Sequence, residues 1–324
     1  MKVHSVDIAW HPDLPIYASD RFLAAVGEEF GWLRGTSDSG EPLCLIPYTI
    51  VKKPGFRMVR FRTATIPLAG ALDEAQERDF LNRVVKYFRS TGADFILPGS
   101  NNTIFKASPD GAQAAPYGTF IKDLTKPEDA MLAEIHSDHR RNIRQAEKAG
   151  VQVKHGPEYA RVAYDMVAET LARSSMKLRG YEDYTKILTA LGENVKIFVA
   201  EREGTVVAAM VSPFSKYGAY DWYSGTIAEP VRGARPLLLW QAMRTFREMG
   251  VRQFDFTGVR INPEKGSKQE GLSNFKMRFG GQLVQGYMWK YSFQPLKFAA
   301  YSMAMRWLRG GDVVDLEGHK LQRQ

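Results

Sequence analysis

Residues 251–281, VRQFDFTGVRINPEKGSKQEGLSNFKMRFGG, gather the groups best suited to chemistry. Val251, Phe254 and Phe256 read as a strand, with Asp255 between two aromatics. Gly258 breaks that strand, and a polar loop follows through Gly266 and Gly271. The spacing then predicts a short helix with Leu272, Phe275 and Phe279 on one face and Lys276 off it; Gly280 and Gly281 stop it. A lysine is thereby held beside an open loop at the carboxyl end of a strand, where open α/β sheets bind ligands. Asp255 has two readings, the partner of a basic residue or a general base for an attacking amine.

Other polar groups fall into sets. Tyr223 ends the stretch AYDWYSG, where it either lines a cleft with its hydroxyl or packs at a sheet edge. Arg179, in SSMKLRGYEDY, and Tyr184 either face phosphates, which suit a guanidinium fork, or belong to a solvated loop. Arg232 and Arg235 precede a helix N-terminus, a place that favours an anion. Arg140, Arg141, Arg144 and Lys148 follow a helical spacing in HSDHRRNIRQAEKAG, which makes either a tRNA or phosphate contact or a solvated face. His136 and His139 are three apart, but no acidic or cysteine cluster accompanies them, so no metal site is expected. The sequence holds no G-x-S-x-G elbow, no P-loop and no G-x-G-x-x-G after a strand.

Composition sets the frame. A chain of 324 residues, 44% hydrophobic and 25% charged, is globular and long enough for two domains or one large one. The net charge of +8 favours acidic partners: nucleic acid, nucleotide phosphates or an anionic membrane surface. The one cysteine, Cys44 in PLCLIPY, reads as a small buried hydrophobe and rules out an internal disulfide. The start, MKVHSVDIAWHPDLP, has no apolar h-region, so a cytoplasmic location is expected. No apolar run reaches the roughly 18 residues of a membrane span.

The elements that must position these groups form two similar series. In the first, Ser19 or Asp20 caps a helix RFLAAVGEEFG carrying Phe22, Leu23, Val26 and Phe30, and 32–35 with 43–51 form a hairpin. A strand over Arg57–Thr65, a helix over Glu74–Ser90 and strands at Asp94–Leu97 and Tyr117–Asp123 follow. Thr125 and Glu128 match a capping box, and the basic helix ends at Gly150. In the second series helices run from Pro157 to Ala172 and over Tyr181–Leu191, and a hairpin joins VKIFVAER to TVVAAMVSPFS. The strand AYDWYSGT, the helix PLLLWQAMRTFREMG, the stretch 251–281 and a strand over Leu283–Tyr291 complete it. Residues 295–310 form an amphipathic, basic helix that packs back on the first unit or also touches a membrane, and a polar tail follows. Both series run helix, hairpin, strand, helix, strand, final strand, which predicts an α/β fold with mixed sheets built from a duplicated unit. The first unit covers 1–124 plus 293–324, and the second covers 125–292.

The order of elements in the second unit is similar to the GNAT acyltransferase fold. An ordinary GNAT enzyme carries R/Q-x-x-G-x-G/A before its central helix, to hold the pyrophosphate of acetyl-CoA. Here the loop reads Val231-Arg232-Gly233-Ala234-Arg235-Pro236, with the wrong spacing and no second glycine. Three segments, HRRNIRQAEKAGV, RPLLLWQAMRTFREMGVRQFDFTGV and NFKMRFGG, together more closely resemble the FemABX family of aminoacyl transferases, built from two GNAT-like units in tandem. The long helical hairpin inserted in several members has no counterpart, so the chain resembles the compact ones. The resemblance implies transfer of an amino acid from aminoacyl-tRNA to an amine of a UDP- or lipid-linked cell-wall or polysaccharide precursor, without a metal or organic cofactor. It implies that Phe275 and Lys276 are the motif pair, with Lys276 stabilising the oxyanion. The rival expectation is an acyl-CoA-dependent N-acyltransferase acting on an amino sugar or amino acid.

Overall fold

The computed structural model describes residues 1–321. Local signals set most elements of the first half. The chain opens with strand β1 (Lys2–Val6) and helix α1 (Asp20–Val26), which Ser19 caps, followed by strands β2 (Glu29–Thr36), β3 (Pro42–Lys53), with a run of buried residues at its centre, and β4 (Phe56–Phe61). The pair β5 (Ile66–Pro67) leads to α2 (Glu74–Ser90). Asp73 and Gln76 box the start of α2, each side chain accepting the other's backbone N–H, at 2.8 and 3.0 Å. Its apolar face, Phe80, Leu81, Val84, Val85 and Phe88, is buried. Strands β6 (Phe95–Leu97) and β7 (Gln113–Asp123) close this half.

The second half begins with α3 (Glu128–Ala133) and α4 (Ser137–Lys148), then β8 (Gln152–His155), α5 (Ala160–Ala172) and α6 (Tyr181–Leu191). The hairpin β9 (Val195–Arg202) and β10 (Thr205–Pro213) follows, with short strands β11 (Ala219–Tyr220) and β12 (Tyr223–Thr226). The buried helix α7 (Ala234–Glu248), β13 (Gln253–Asp255), α8 (Lys268–Met277) and β14 (Gln282–Ser292) lead to α9 (Pro295–Arg309) and α10 (Val313–Leu321).

One mixed and one antiparallel sheet result. One runs β1-β2-β3-β4-β6-β14-β7-β13-β11, with β5 on β3; the other runs β12-β10-β9-β8. The β4/β6 and β11/β13 pairs are parallel and the others antiparallel. Strand β14 lies between β6 and β7, from Gln282 opposite Ile121 to Tyr291 opposite Ile96, so one sheet passes through both halves. The C-terminal helix packs on the first half as expected: Phe298 joins Met58, Phe95 and Leu97, and Lys297 pairs with Asp94 at 2.7 Å.

Several boundaries differ from expectation. Helix α1 stops at Val26 because Gly27 is extended, and Phe30 stands on β2. The strand expected to Thr65 ends at Phe61. Thr125 caps nothing: its hydroxyl and N–H both bond Asp123, and α3 starts behind Pro127. The expected polar tail contains α10, tied to β14 by buried Lys290 between Asp312 and Asp315, at 3.0 and 2.7 Å. The strand AYDWYSGT splits at Asp221-Trp222, its halves joining different sheets. No described helix is long and apolar enough to cross a membrane.

Candidate active site

That split places Asp221 where the two sheets diverge. Thr257 and Gly258, just past β13, turn the chain at the same level, with φ of +49° and +44°. A β-branched residue there is strained, so contacts must hold the turn. Asp255 accepts the Thr257 N–H at 2.7 Å and the Thr119 hydroxyl, and the Thr257 hydroxyl donates to the Asp221 carbonyl at 2.8 Å. At Gly258 a Cβ would come within 2.5 Å of the Tyr117 hydroxyl, so the position needs glycine for space as well as for φ.

Lys276 comes off α8 onto this turn. Its ammonium donates to the carbonyls of Thr257 and of Gly258, the latter at 2.7 Å. Burial pushes its pKa down to about 8, against the pull of Asp221 and Asp255; Arg235 pushes the same way as burial. Burial likewise pushes Asp255 up to about 6, although Thr119, the Thr257 amide and Lys276 all favour its charged form. Arg235 and Asp221 form a bond of 2.6 Å, and Ser224 also donates to Asp221. Asp221, Arg235, Thr257, Leu272, Phe275 and Lys276 line a cavity of about 330 Å³.

Phe275 serves two surfaces. It walls the cavity, and its carbonyl takes a 3.1 Å hydrogen bond from Nε2 of His139 on α4. The His139 ring lies against Phe275 and Phe279, 4.9 and 4.6 Å between centroids, so α4 braces the base of the lysine helix. Burial lowers the His139 pKa. Asp255 lies behind the turn: it lines not the lysine cavity but a second one of about 240 Å³, with Glu77, Lys106, Thr119 and Tyr217.

The other expected residues scatter around this centre. Tyr223 and exposed Arg179 do not line the lysine cavity; they meet each other, with Nε donating to the hydroxyl at 3.3 Å, and the guanidinium lies 6.0 Å over Trp222. Tyr184 is fully buried in the core below Tyr223, 6.5 Å between ring centroids. Arg232 donates to Asn142 at 3.3 Å and Arg235 is spent on Asp221, so neither stands alone before a helix. On α4, Arg140 donates to the carbonyls of Ala133 and Ile135, whereas Arg141, Arg144 and Lys148 are exposed. Cys44 is buried, its thiol pushed up to about 12 by that burial.

Sequence reasoning missed four groups. Asp221 carries the same signal as Asp255, an acid between aromatics in a strand. Thr119 carries none. Tyr17 comes from the first half, fully buried, with a hydroxyl that has no hydrogen-bond partner among the described residues and lies within electrostatic reach of Asp255 and Asp221. Arg62 was readable only as a polar position in a strand. It is buried, bonded to the Thr49 hydroxyl and the Val26 carbonyl, and pushed down to about 9 by burial and by Arg60 and Arg179.

The start of α7 is poorly equipped to bind an anion. The Ala234 N–H already bonds Val231, and Pro236 has no N–H. Gly233, at φ +81°, lies so close to α4 that a Cβ would stand 2.1 Å from the Asn142 carbonyl oxygen.

The acetyltransferase (GNAT) domain family matches residues 134–277. In structure the chain is similar to FemX, with a TM-score of 0.68 and 14% identity over 93% of this chain and 99% of that one. It is also similar to the C-terminal domain of a candidate lysylphosphatidylglycerol synthetase from Agrobacterium fabrum, at 0.52 and 16% identity over 89% and 95%. No curated protein matches the sequence. The chain shares the α/β fold of FemX, and the GNAT-type match lies in its second half.

Proposed function

We propose that this chain moves an amino acid from aminoacyl-tRNA to an amine of a nucleotide- or lipid-linked glycan precursor. The observation that carries the reading is Lys276. An ammonium has three N–H groups, and two are fixed by the Thr257 and Gly258 carbonyls beside a 330 Å³ cavity. The third is left for an oxygen in that cavity. In the proposed step the amine nitrogen bonds to the ester carbonyl carbon, and negative charge builds on the carbonyl oxygen opposite Lys276. The ester C–O bond then breaks, and the departing ribose hydroxyl takes up a proton equivalent to the one the amine gives up. A fixed donor to such an oxyanion is worth roughly 3 kcal/mol. The ester is already activated, so the attacking amine needs little beyond positioning.

Asp255 acts in this reading as a positioning residue, since it holds the strained turn that holds Lys276. Phosphates of the precursor lie between Arg62 and Arg179, whose like charges disfavour one another until an anion separates them. Tyr223 orients Arg179, and Tyr184 supports Tyr223 from below. The exposed Arg141, Arg144 and Lys148 take the tRNA backbone by charge alone. The name of the Agrobacterium fabrum relative, a candidate lysylphosphatidylglycerol synthetase, supports an aminoacyl group and leaves a lipid acceptor open.

The rival acyl-CoA reading draws on the acetyltransferase family match. Against it stands the start of α7, where a CoA pyrophosphate would find few free N–H groups. The test is transfer of labelled amino acid from charged tRNA to UDP-linked and lipid-linked amines, with acetyl-CoA in parallel. Transfer from tRNA that Lys276→Met abolishes is expected. Rates should fall above pH about 8, as the ammonium deprotonates, and Lys276→Arg should move that fall upward. Transfer from CoA thioesters with none from tRNA would overturn the reading.

A further inference from the structure

We propose that the outer face of α9 docks on an anionic lipid bilayer. The helix has two apolar faces. The inner one, with Phe298 and Tyr301, packs on the first half, where the Phe298 and Tyr301 rings lie 5.4 and 4.9 Å from Phe95. The outer one carries Leu296, Met303 and Trp307, which are 89%, 69% and 87% exposed. Their spacing of seven and then four residues puts all three within about 40° of arc at 3.6 residues per turn. Exposed Ala300 lies on the same strip. Large apolar side chains this exposed on one line mark an interaction surface, since folding gains nothing from them.

Charge selects the occupant. The helix PLKFAAYSMAMRWLR contains no acid and three basic residues, Lys297, Arg306 and Arg309. Two of these cations are already paired, Lys297 with Asp94 and Arg306 with Asp315, which Lys290 also holds. The hairpin tip beside α9, anchored through Phe56 against Tyr301 at 6.0 Å, adds Lys52, Lys53 and Arg57 against two acids, Glu28 and Glu29. Lys53 is exposed and makes no ion pair among the described residues. A tryptophan on an apolar strip with surplus cations beside it fits the headgroup layer of an acidic membrane. A protein partner would more often present polar groups to the strip's rim. This proposal stands apart from the transfer chemistry and is tested without it.

The test is cosedimentation of the full chain with vesicles of phosphatidylcholine alone and with added phosphatidylglycerol. Binding to the acidic vesicles alone, weakened by salt, is expected. The triple variant Leu296→Ser, Met303→Ser, Trp307→Ser should bind at least about tenfold more weakly while its urea midpoint is unchanged. Lys53→Glu, which leaves the strip intact, should weaken binding to the acidic vesicles less. No vesicle binding by the wild-type chain would overturn the proposal, as would equal binding by the triple variant. A wild-type dimer that the triple variant makes monomeric, without vesicle binding, would assign the strip to a second copy instead.

Discussion

Replacing Lys276 by Met should change how stability depends on pH between 7.5 and 9.5. Lys276 has its pKa pushed from 10.5 to about 8 by burial. The unfolded chain then binds more protons than the folded one between those values, so this group makes stability rise with pH. Its full cost at neutral pH is about 3 kcal/mol, at 1.36 kcal/mol per pKa unit. Of that, about 2 kcal/mol is regained on going from pH 7.5 to 9.5. The variant lacks the charged form and its cost, but it leaves the Thr257 and Gly258 carbonyls without their donor, at about 1–3 kcal/mol each. Its stability at one pH is therefore a poor guide, and the slope is diagnostic. Urea unfolding of both proteins at both pH values should give a difference of differences near 2 kcal/mol, with the wild type gaining on the variant. Asp255, near 6, is ionised throughout this range and contributes little to it. Parallel profiles would show that the ammonium is solvated and not held in a buried, two-carbonyl site.

Three further outcomes are expected. Gly258→Ala must place a Cβ near the Tyr117 hydroxyl at a φ of +44°, so it should destabilise by about 1–3 kcal/mol and displace the lysine turn; an unchanged urea midpoint would show the turn to be soft. His139 has its pKa lowered by burial, so stability should fall as pH drops below the ordinary value of 6.5, because the unfolded chain takes up the proton first. His139→Leu should flatten that acid limb in pH-dependent unfolding. A fragment spanning 125–292 leaves β13 and β14 without β7, so it should stay unfolded by circular dichroism if the expected boundary is not a folding boundary.

The parts legible in the sequence were those fixed locally. Helix α2 was read to the residue, because its apolar spacing and terminal glycine lie within one element. The β9/β10 hairpin was equally plain, since Glu203 and Gly204 take the positive φ of a tight turn. What stayed hidden depends on partners distant in the chain. Nothing between Ala219 and Thr226 shows that Tyr220 pairs beside Asp255 while Tyr223 pairs beside Val211. That division of partners creates the corner where Asp221 sits. Tyr17 reaches the same corner from a segment with no motif.

The site also shows why Lys276 could be found by its motif but not understood from it. On a helix read alone, a lysine off the apolar face is a surface residue. Burial depresses its pKa, and the turn at Thr257 and Gly258 offers two carbonyls but no carboxylate in direct contact to offset that, since Asp221 is already held by Arg235 and Ser224. Had Asp221 or Asp255 paired with Lys276 directly, the ammonium would be neutralised and its third N–H turned from the cavity. The Asp221–Arg235 pair and the Asp255–Thr119 bond therefore have a common effect: they keep both acids near enough to favour the charged lysine and too occupied to bind it. Arg235→Ala would release Asp221. That change should raise the Lys276 pKa, moving the high-pH stability gain upward even though a cation has been removed from Asp221 rather than from the lysine.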